Sequence, residues 1–466
     1  MNSSEETPLL RPAAVGSSVS KHEAIYLRFS PSRKRLLLTL VSWCGLIPLF
    51  VAGTFIPSIP QIALDLNTTG PVISFAVSLS VFAACLGGLS GATYSTFYGR
   101  RPAYLVGLPL LCIGSFGVAY SKAVPQLMIW RFIQSFGASP GMSVGAGVIG
   151  DIYKLEERGQ AMGIFFAACL VGPALAPITG GFAAHYASWR VMQLIIGAFG
   201  CVMFVAMVSF FPETSHPGTR GIDKTPDESP KLVFINPLRP LWLLRSPNLL
   251  AVSLSGFAVL LTDYVLLVPL AYTIGGRYNI TNPALIGACF LPCGVGNMIG
   301  APLAGRISDK VVVRWRDRRG GVWYPEDRLR ATMFGGLFLV PLSVLCSGLL
   351  TEFVPGRIGL ILNLVCLFFN GVGVDIVLSP SAAYAVDVMH DRSAEAMAAN
   401  SGLRSLMLSI AIAGILPLID TIGVAGANAL TAFLAWVGYF LLWFTIRYGT
   451  QMRAWVDVGY STAKSN

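Results

Sequence analysis

The chain has 466 residues, of which 54% are hydrophobic and only 12% are charged. Soluble domains carry about 25% charged residues, so this composition excludes an ordinary soluble protein and is typical of a polytopic membrane protein. The net charge of +10 is then explained by basic loops at one membrane face and gives no reason to expect nucleic-acid binding. The nine cysteines lie in apolar runs without a CxxC pair, which predicts neither disulfides nor a metal site.

Twelve apolar runs are long enough to cross a bilayer core, which requires about twenty residues. In chain order they are residues 36–58, 72–93, 103–121, 125–149, 161–184, 190–211, 248–273, 283–304, 329–351, 357–380, 399–420 and 425–446. An even number of spans places both chain ends on the same side of the membrane. The sequence therefore predicts an all-α membrane protein.

Lysines and arginines identify the cytoplasmic side, because short cytoplasmic loops are rich in both. If both ends are cytoplasmic, the basic residues left outside are only Lys122, Arg190, Arg277 and Arg357. This orientation also places two glycosylation sequons outside, at Asn67 and Asn279. We expect an integral plasma-membrane protein with both termini in the cytoplasm, the vacuolar membrane being the alternative.

Residues 212–247 interrupt the apolar rhythm with a polar segment rich in proline and glycine, which is typical of a linker. Six spans lie on each side of it, and local echoes relate the two sets: aligning Ser95 with Ser308 places Thr96 opposite Asp309. Paired six-span halves are an architecture of secondary transporters. The predicted organisation is a cytoplasmic tail, a six-helix half, a cytoplasmic linker, a second six-helix half and a cytoplasmic tail, at residues 1–35, 36–212, 213–247, 248–447 and 448–466.

Span 5 contains the run VGPALAPITGG, with Pro173 and Pro177 inside an apolar helix. Prolines that would break a soluble helix are tolerated in a membrane span, and small residues let a neighbouring helix approach closely. Gly172, Gly180 and Gly181 supply those small residues. This pattern predicts a bent helix that packs tightly against a neighbour.

Two further motifs lie in the loop after span 2 and inside span 4. The loop after span 2 ends in Gly99, Arg100, Arg101 and Pro102, and span 4 contains the run RFIQSFG at residues 131–137. Together with span 5, these runs resemble the major facilitator superfamily, in its twelve-span drug:proton antiporter branch, and fungal members in particular. Its span-5 signature is G-P-x-x-x-P-x-x-G-G, and its span-4 signature is R-x-x-Q-G-x-G, where this chain has Ser135 for the first glycine.

The resemblance implies alternating access between two six-helix halves. It implies a conformational switch at the loop motif, where the family has an aspartate three residues before the glycine and this chain has Thr96. Threonine can cap a helix but cannot form an ion pair, so the resemblance leaves the charged version of the switch to Asp309 in the second half. The gating residues are expected to be Thr96, Gly99, Arg100, Arg101, Asp309, Gly172, Pro173, Pro177, Gly180 and Gly181.

Ionisable side chains inside a membrane are costly and are candidates for function. Four of them fall inside predicted spans: Arg131, Asp263, Asp375 and Arg404. By depth alone, Asp375 could pair with Arg404, and Asp263 could lie near Arg131. We expect these four to serve proton coupling and substrate binding together with Gln134 and Asn370; the resemblance favours Arg131 as the relay. The alternative is static ion pairs that fix helix register.

The predicted function is a secondary active transporter that exports a small organic compound, an organic acid or a secondary metabolite, in exchange for protons. The alternatives are a multidrug or polyamine:proton antiporter, a transporter-like sensor and a membrane-embedded enzyme. The sequence has no H-E-x-x-H or Walker motif and no His-rich metal cluster, which argues against an enzyme and an ATP-driven pump. The expected partners are a small molecule, protons and the lipid bilayer, with no cofactor, no nucleic acid and a monomeric chain.

Overall fold

A computed structural model describes residue 26 and residues 28–153, 155–216, 218, 220–224, 236–389 and 393–456. Every regular element in these ranges is helical, as the apolar runs predict. The predicted tails at 1–35 and 448–466 lie mostly outside the described residues. The N-terminus of the first helix, the C-terminus of the last helix and residues 211–216, 220–224 and 236–246 lie at one end of the molecule. We call this end the inner side and the opposite end the outer side.

Six helical segments form the first half of the chain, and two of them are interrupted. α1 runs over Pro31–Phe55 and continues through a tighter turn at Ile56–Ser58 into Ile59–Asp65. α4 consists of Val124–Ala138 and Pro140–Ile152. The remaining helices are α2 at Gly70–Tyr98, α3 at Arg100–Ala119, α5 at Leu155–Tyr186 and α6 at Trp189–Phe210.

The second half repeats this plan. α7 is Pro247–Leu267, α8 consists of Pro283–Ala288 and Leu291–Arg318, and α10 is Gly356–Val388. α9 begins with a 3₁₀-helix at Pro325–Thr332 and a π-helical turn at Gly335–Leu339, and it continues as an α-helix over Val340–Phe353. The last helical stretch, Ser393–Trp455, bends at Gly423, whose φ is +77°; it comprises α11 (393–422) and α12 (424–455).

Ten helices in the described residues are long and apolar enough to cross a membrane. One of these covers Glu395–Trp455 and contains both α11 and α12. α4 is not among the ten because it is interrupted at Ser139, directly before Pro140. Proline has no N–H to donate and clashes with the preceding turn, which explains the break. With these two points included, the helices correspond to the twelve predicted spans.

The two halves pack against each other at the outer side. One apolar cluster there combines residues of both halves, including Phe55, Ile59 and Val77 from the first and Leu270 and Ile412 from the second. α5 and α8 touch through small residues, since a Cβ on Gly287 would lie 3.2 Å from the Cα of Gly181. α2 meets α11, where Ser78 donates to the carbonyl of Ser409. The outer ends of the halves are therefore closed.

Both ends of the predicted linker lie on the helical halves. Arg28 donates to the carbonyl oxygen of Glu213 at 2.5 Å, and the N–H of Gly221 donates to the carbonyl of Thr96 at 3.4 Å. Residues 211–216 and 220–224 thus pack against the inner side of the first half. The short helix Arg239–Arg245 packs on the second half, where Leu243 joins a core cluster with residues of α7 and α11.

Candidate transport site

A buried polar network joins three helices of the first half. The Arg131 side chain is 0% exposed, and its Nη1 donates to Oε1 of Gln134 at 2.8 Å. The Gln134 amide then donates to Ser115 Oγ at 2.9 Å and to Gln193 Oε1 at 2.8 Å. This arrangement joins α4 to α3 and α6. It leaves Nε and Nη2 of Arg131 buried without a hydrogen-bond partner.

Phe55 covers the guanidinium of Arg131, with 4.2 Å between Cζ and the ring centre. Phe55 is the last residue before the tight turn that interrupts α1. The guanidinium therefore has an aromatic face, a carbonyl at Val51 (3.5 Å) and an amide as neighbours, and no carboxylate among the described residues. The expected proximity of Asp263 to Arg131 is not observed, because Asp263 makes its contact with α8 instead.

Two carboxyl groups and a thiol of the second half lie on three neighbouring helices, α7, α8 and α10. The thiol of Cys293 on α8 lies 3.6 Å from Oδ1 of Asp263 on α7. Asp375 on α10 packs against the same helix, with its Cβ 3.1 Å from the position that a Cβ on Gly300 of α8 would occupy. Its Oδ2 is buried without a hydrogen-bond partner. No lysine or arginine of the described residues forms an ion pair with either aspartate. We call Asp263, Cys293 and Asp375 the acidic cluster.

Arg404 on α11 is partly buried and also lacks a partner at Nε. Its Cδ lies 3.5 Å from the position that a Cβ on Gly256 would occupy, so the side chain extends along α7. Asp375 packs against α8 instead, with its Cβ 3.1 Å from the position that a Cβ on Gly300 would occupy. The expected Asp375–Arg404 pair is therefore absent from the described residues: the two side chains lie against different helices.

Asn370 fixes the helices around the acidic cluster. Its amide donates to Thr262 Oγ1 on α7 and to Ser343 Oγ on α9, each at 3.1 Å. The side chain is fully buried, and its Oδ1 has no partner. Asn370 thus connects three helices next to Asp263.

The loop motif of the first half is held by a residue that sequence reasoning missed. Glu213 accepts the backbone N–H of Arg100 at 2.9 Å and that of Arg101 at 3.2 Å, which caps the start of α3. Gly99 has a φ of +113°, and a side chain there would strike the Glu213 carboxylate. Thr96 does not cap α3; its hydroxyl donates to Ala92 O within α2 at 3.0 Å. Burial raises the pKa of Glu213, but N–H donors including those of Ser215 and Arg100 outweigh burial and hold its pKa below the ordinary value.

Matching ion pairs join the third and fourth helix of each half. Arg100 at the start of α3 pairs with Asp151 near the end of α4 at 2.9 Å. Arg328 at the start of α9 pairs with Asp387 near the end of α10 at 2.6 Å. Asp309 lies 3.4 Å from the same arginine, but its side chain is 76% exposed. Asp309 is therefore a peripheral member of this pair, which the sequence alignment with Thr96 did not indicate.

The glycines and prolines of α5 lie where this helix packs against α1 and against α8. Gly172 and Gly180 face α1, where a Cβ on Gly172 would lie 3.1 Å from Leu49 Cβ and one on Gly180 would collide with Thr54. Gly181 faces α8, as does Pro177 through its backbone. Pro173 and Pro177 are both inside one continuous helix. The predicted close packing of this helix is observed.

Both sequons lie at the ends of helices on the outer side. Asn67 and Asn279 are exposed and have positive φ values of 49° and 55°. The next residue bonds back five positions in each case, from Thr68 to Ala63 at 2.9 Å and from Ile280 to Gly275 at 2.9 Å. This is the bonding of a left-handed helix cap, in which asparagine is one of the few residues tolerated. Each asparagine therefore also has a structural role, because it adopts the left-handed conformation that ends its helix.

Comparison with known proteins agrees with this architecture. The family model of the Major Facilitator Superfamily matches residues 41–414. Over 448 residues, the chain is 30% identical to MFS transporter fsa7 of a Fusarium species, covering 92% of this chain and 86% of that protein. Efflux pump radE of Floropilus chiversii is 26% identical over 430 residues, covering 88% and 79% of the two chains.

A solved structure shares the fold. The xylose transporter XylE from E. coli, in a partially occluded inward-open conformation, matches with a TM-score of 0.64 over 93% of this chain and all of that chain, at 14% identity. In the described residues, long apolar helices form two packed halves with polar groups buried between them, which is the architecture of an integral membrane transporter of small molecules. The chain belongs to the Major Facilitator Superfamily.

Proposed function

We propose that this chain is a proton-coupled exporter of a small organic compound, an organic acid or secondary metabolite, that works as a monomer in the plasma membrane. Both termini are then cytoplasmic. Export is favoured by the similarity to fungal proteins named efflux pumps. The closed outer side and the alternating-access principle give the cycle: the substrate enters from the inner side, and the outer contact between α5 and α8 opens to release it.

The observation that carries the proton coupling is the acidic cluster. Asp263 and Asp375 lie on adjacent helices without a cationic partner among the described residues. Intramembrane carboxyl groups in such surroundings are suited to bind and release a proton as access changes from one side to the other. Asn370 holds the helices that carry them. Arg131, buried under Phe55 and bonded to Gln134, would act as a relay only in a state in which α1 moves.

An anionic substrate is favoured by Arg404, which is partly exposed and lacks an ion pair within the described residues. An arginine can bind a carboxylate with two parallel hydrogen bonds. The second candidate is a multidrug or polyamine:proton antiporter, which the same unpaired carboxylates would favour because they attract cations. The two candidates predict opposite behaviour of Arg404 and acidic-cluster variants toward a negatively charged substrate.

Two experiments test the proposal. First, metabolites in the medium are compared between host strains with and without the gene; a compound that disappears outside and accumulates inside is the exported substrate. Second, the purified chain is reconstituted into vesicles that contain a pH-sensitive dye, and that compound is added with an imposed pH gradient. We expect proton flux in the wild type, loss of flux in D263N and D375N, and retention in D420N, whose aspartate is exposed on α11.

Transport that does not respond to the pH gradient would rule out proton coupling. Wild-type proton flux in D375N and D263N would assign coupling to other residues. If R404Q transports an organic acid as well as the wild type, the anion contact is wrong. If the deletion strain instead becomes sensitive to toxic cations with its medium unchanged, the antiporter candidate replaces the first.

A further inference from the structure

A short helix directly before α7 has one buried edge and one exposed edge. Arg239–Arg245 is a helix with about three residues per turn, so that residues three apart share an edge. Pro240, Leu243 and Ser246 form one edge and are buried. Arg239, Trp242 and Arg245 form the other and are exposed. We call these three residues the Arg-Trp-Arg edge.

The buried edge places this helix at the inner ends of the spans. Leu243 shares a core cluster with Leu249 on α7 and with Ala396 and Ala399 on α11. Leu241 lies next to Gly402, one turn further along α11, at 3.4 Å from the position of a Cβ there. The helix therefore lies alongside the first turns of α7 and α11 instead of projecting away from them. Its exposed edge is at the inner side, at the depth where the spans leave the bilayer.

The exposed edge has the chemistry of a headgroup contact. Trp242 is 59% exposed, and Leu238 beside it is 48% exposed. The guanidinium of Arg245 lies 3.3 Å from the centre of the Trp242 ring. Neither Arg239 nor Arg245 forms an ion pair with a described residue. Tryptophan is enriched at the membrane–water interface, and arginines there attract anionic lipids.

We propose that the Arg-Trp-Arg edge binds the headgroup of an anionic phospholipid, with the Trp242 ring at the interface and Arg239 and Arg245 on the phosphate and carboxylate groups. The inference uses the proposed orientation, in which this side faces the cytoplasmic leaflet, where anionic lipids are concentrated. Such a contact would hold the inner ends of α7 and α11 at the membrane surface. Those helices carry Asp263 and Arg404.

The test measures lipid binding and requires no substrate. Dioctanoyl-phosphatidylserine is titrated against the purified full-length chain in neutral detergent, with dioctanoyl-phosphatidylcholine and free phosphoserine as parallel ligands. We expect phosphatidylserine to bind most tightly and its affinity to fall about tenfold or more in the double variant R239Q/R245Q. The variant K122Q/R357Q removes the same charge from exposed outer residues and is expected to bind like the wild type.

The variant W242A is expected to weaken binding less than the double arginine variant, and W242F to restore part of the loss. Equal binding of phosphatidylcholine, tight binding of free phosphoserine, or unchanged binding in R239Q/R245Q would overturn the proposal. The proposal would also be overturned if D227N/E228Q bound phosphatidylserine more tightly than the wild type does. That result would mean that the chain's own acidic linker occupies the Arg-Trp-Arg edge. Because transport is not measured, these outcomes are independent of the proton-flux experiment.

Discussion

Glu213 accepts the backbone N–H of Arg100 at 2.9 Å across a sequence separation of 113 residues. The carboxylate lies at the N-terminus of α3, where the helix dipole favours a negative charge. The aspartate of the family's loop motif is replaced by Thr96 in this chain, so Glu213 supplies the negative charge at this corner from the far end of the half. The start of the third helix is thereby held by the segment that directly follows the sixth helix.

The first prediction concerns this cap. Replacing Glu213 with Gln removes the charge that holds two N–H groups, and we expect a loss of about 1 kcal/mol in stability. The pKa of Glu213 is held below its ordinary value of 4.5. Its contribution is therefore complete above pH 4.5 and is lost as the pH falls through the lowered pKa. Thermal unfolding in detergent as a function of pH measures this.

The wild type and E213Q are expected to differ at pH 7 and to converge in acid. A constant difference down to pH 3 would show that the charge of Glu213 does not contribute. The variant D420N changes an exposed carboxylate on α11 and controls for a general effect of removing one carboxylate.

The second prediction concerns the contact between α5 and α8. A methyl group on Gly181 would lie 2.5 Å from the Pro283 carbonyl and 3.0 Å from the Cα of Gly287, so G181A must push the helices apart. We expect a loss of about 1–3 kcal/mol from overpacking and a marked loss of transport. Gly163 in the same helix has no neighbour within 4 Å, so G163A is the matched control and is expected to be neutral or slightly stabilising. Thermal unfolding and transport rates measure both; equal behaviour of the two variants would contradict the prediction.

The third prediction separates two roles of Asn279. T281A removes the sequon and keeps the asparagine, whereas N279Q removes the sequon and also places glutamine at a positive φ. We expect both to abolish the mobility shift on enzymatic deglycosylation. Only N279Q should lose about 1 kcal/mol of stability, because left-handed backbone is costly for residues other than glycine and asparagine. N279G should be as stable as T281A. No mobility shift in the wild type would leave the cap as the sole role of Asn279.

The fourth prediction concerns Phe55 and Arg131. A cation over a buried aromatic ring contributes about 0.5–2 kcal/mol. F55L keeps an apolar side chain but removes the ring, and R131Q removes the charge. In a double-mutant cycle on thermal stability we expect a coupling of about 1 kcal/mol between them. F199L, at an exposed ring on α6, should show no coupling to R131Q; strictly additive effects of F55L and R131Q would contradict the contact.

The spans, the two halves and the close packing of α5 could be predicted because each depends on local composition. Apolar runs define spans, and glycines near prolines mark a tightly packed bent helix. The partners of buried charges could not be predicted, because each residue rotates a helix face by about 100° and depth leaves that rotation undefined. The expected pair of Asp375 with Arg404 was wrong for this reason.

Cys293, Gln193 and Phe55 were missed because single polar or aromatic residues in a span give no pattern that distinguishes a contact from packing. Glu213 gave a weak signal as an acidic residue directly after span 6, but nothing in the sequence indicates that it returns to the start of α3. Even α4 was predicted as continuous, although Pro140 in its centre marks the break.

The two ends of the linker belong to different halves, which defines where the chain can be divided. Residues up to Lys224 stay with the first half through Glu213, Gly221 and Arg28, and residues from Leu238 stay with the second through Leu243. Two separate polypeptides, residues 1–230 and 231–466, would each retain all of these contacts. Co-expressed, they should assemble into a functional transporter, whereas a cut after Phe211 would separate α3 from its Glu213 cap and lower the stability of the first piece.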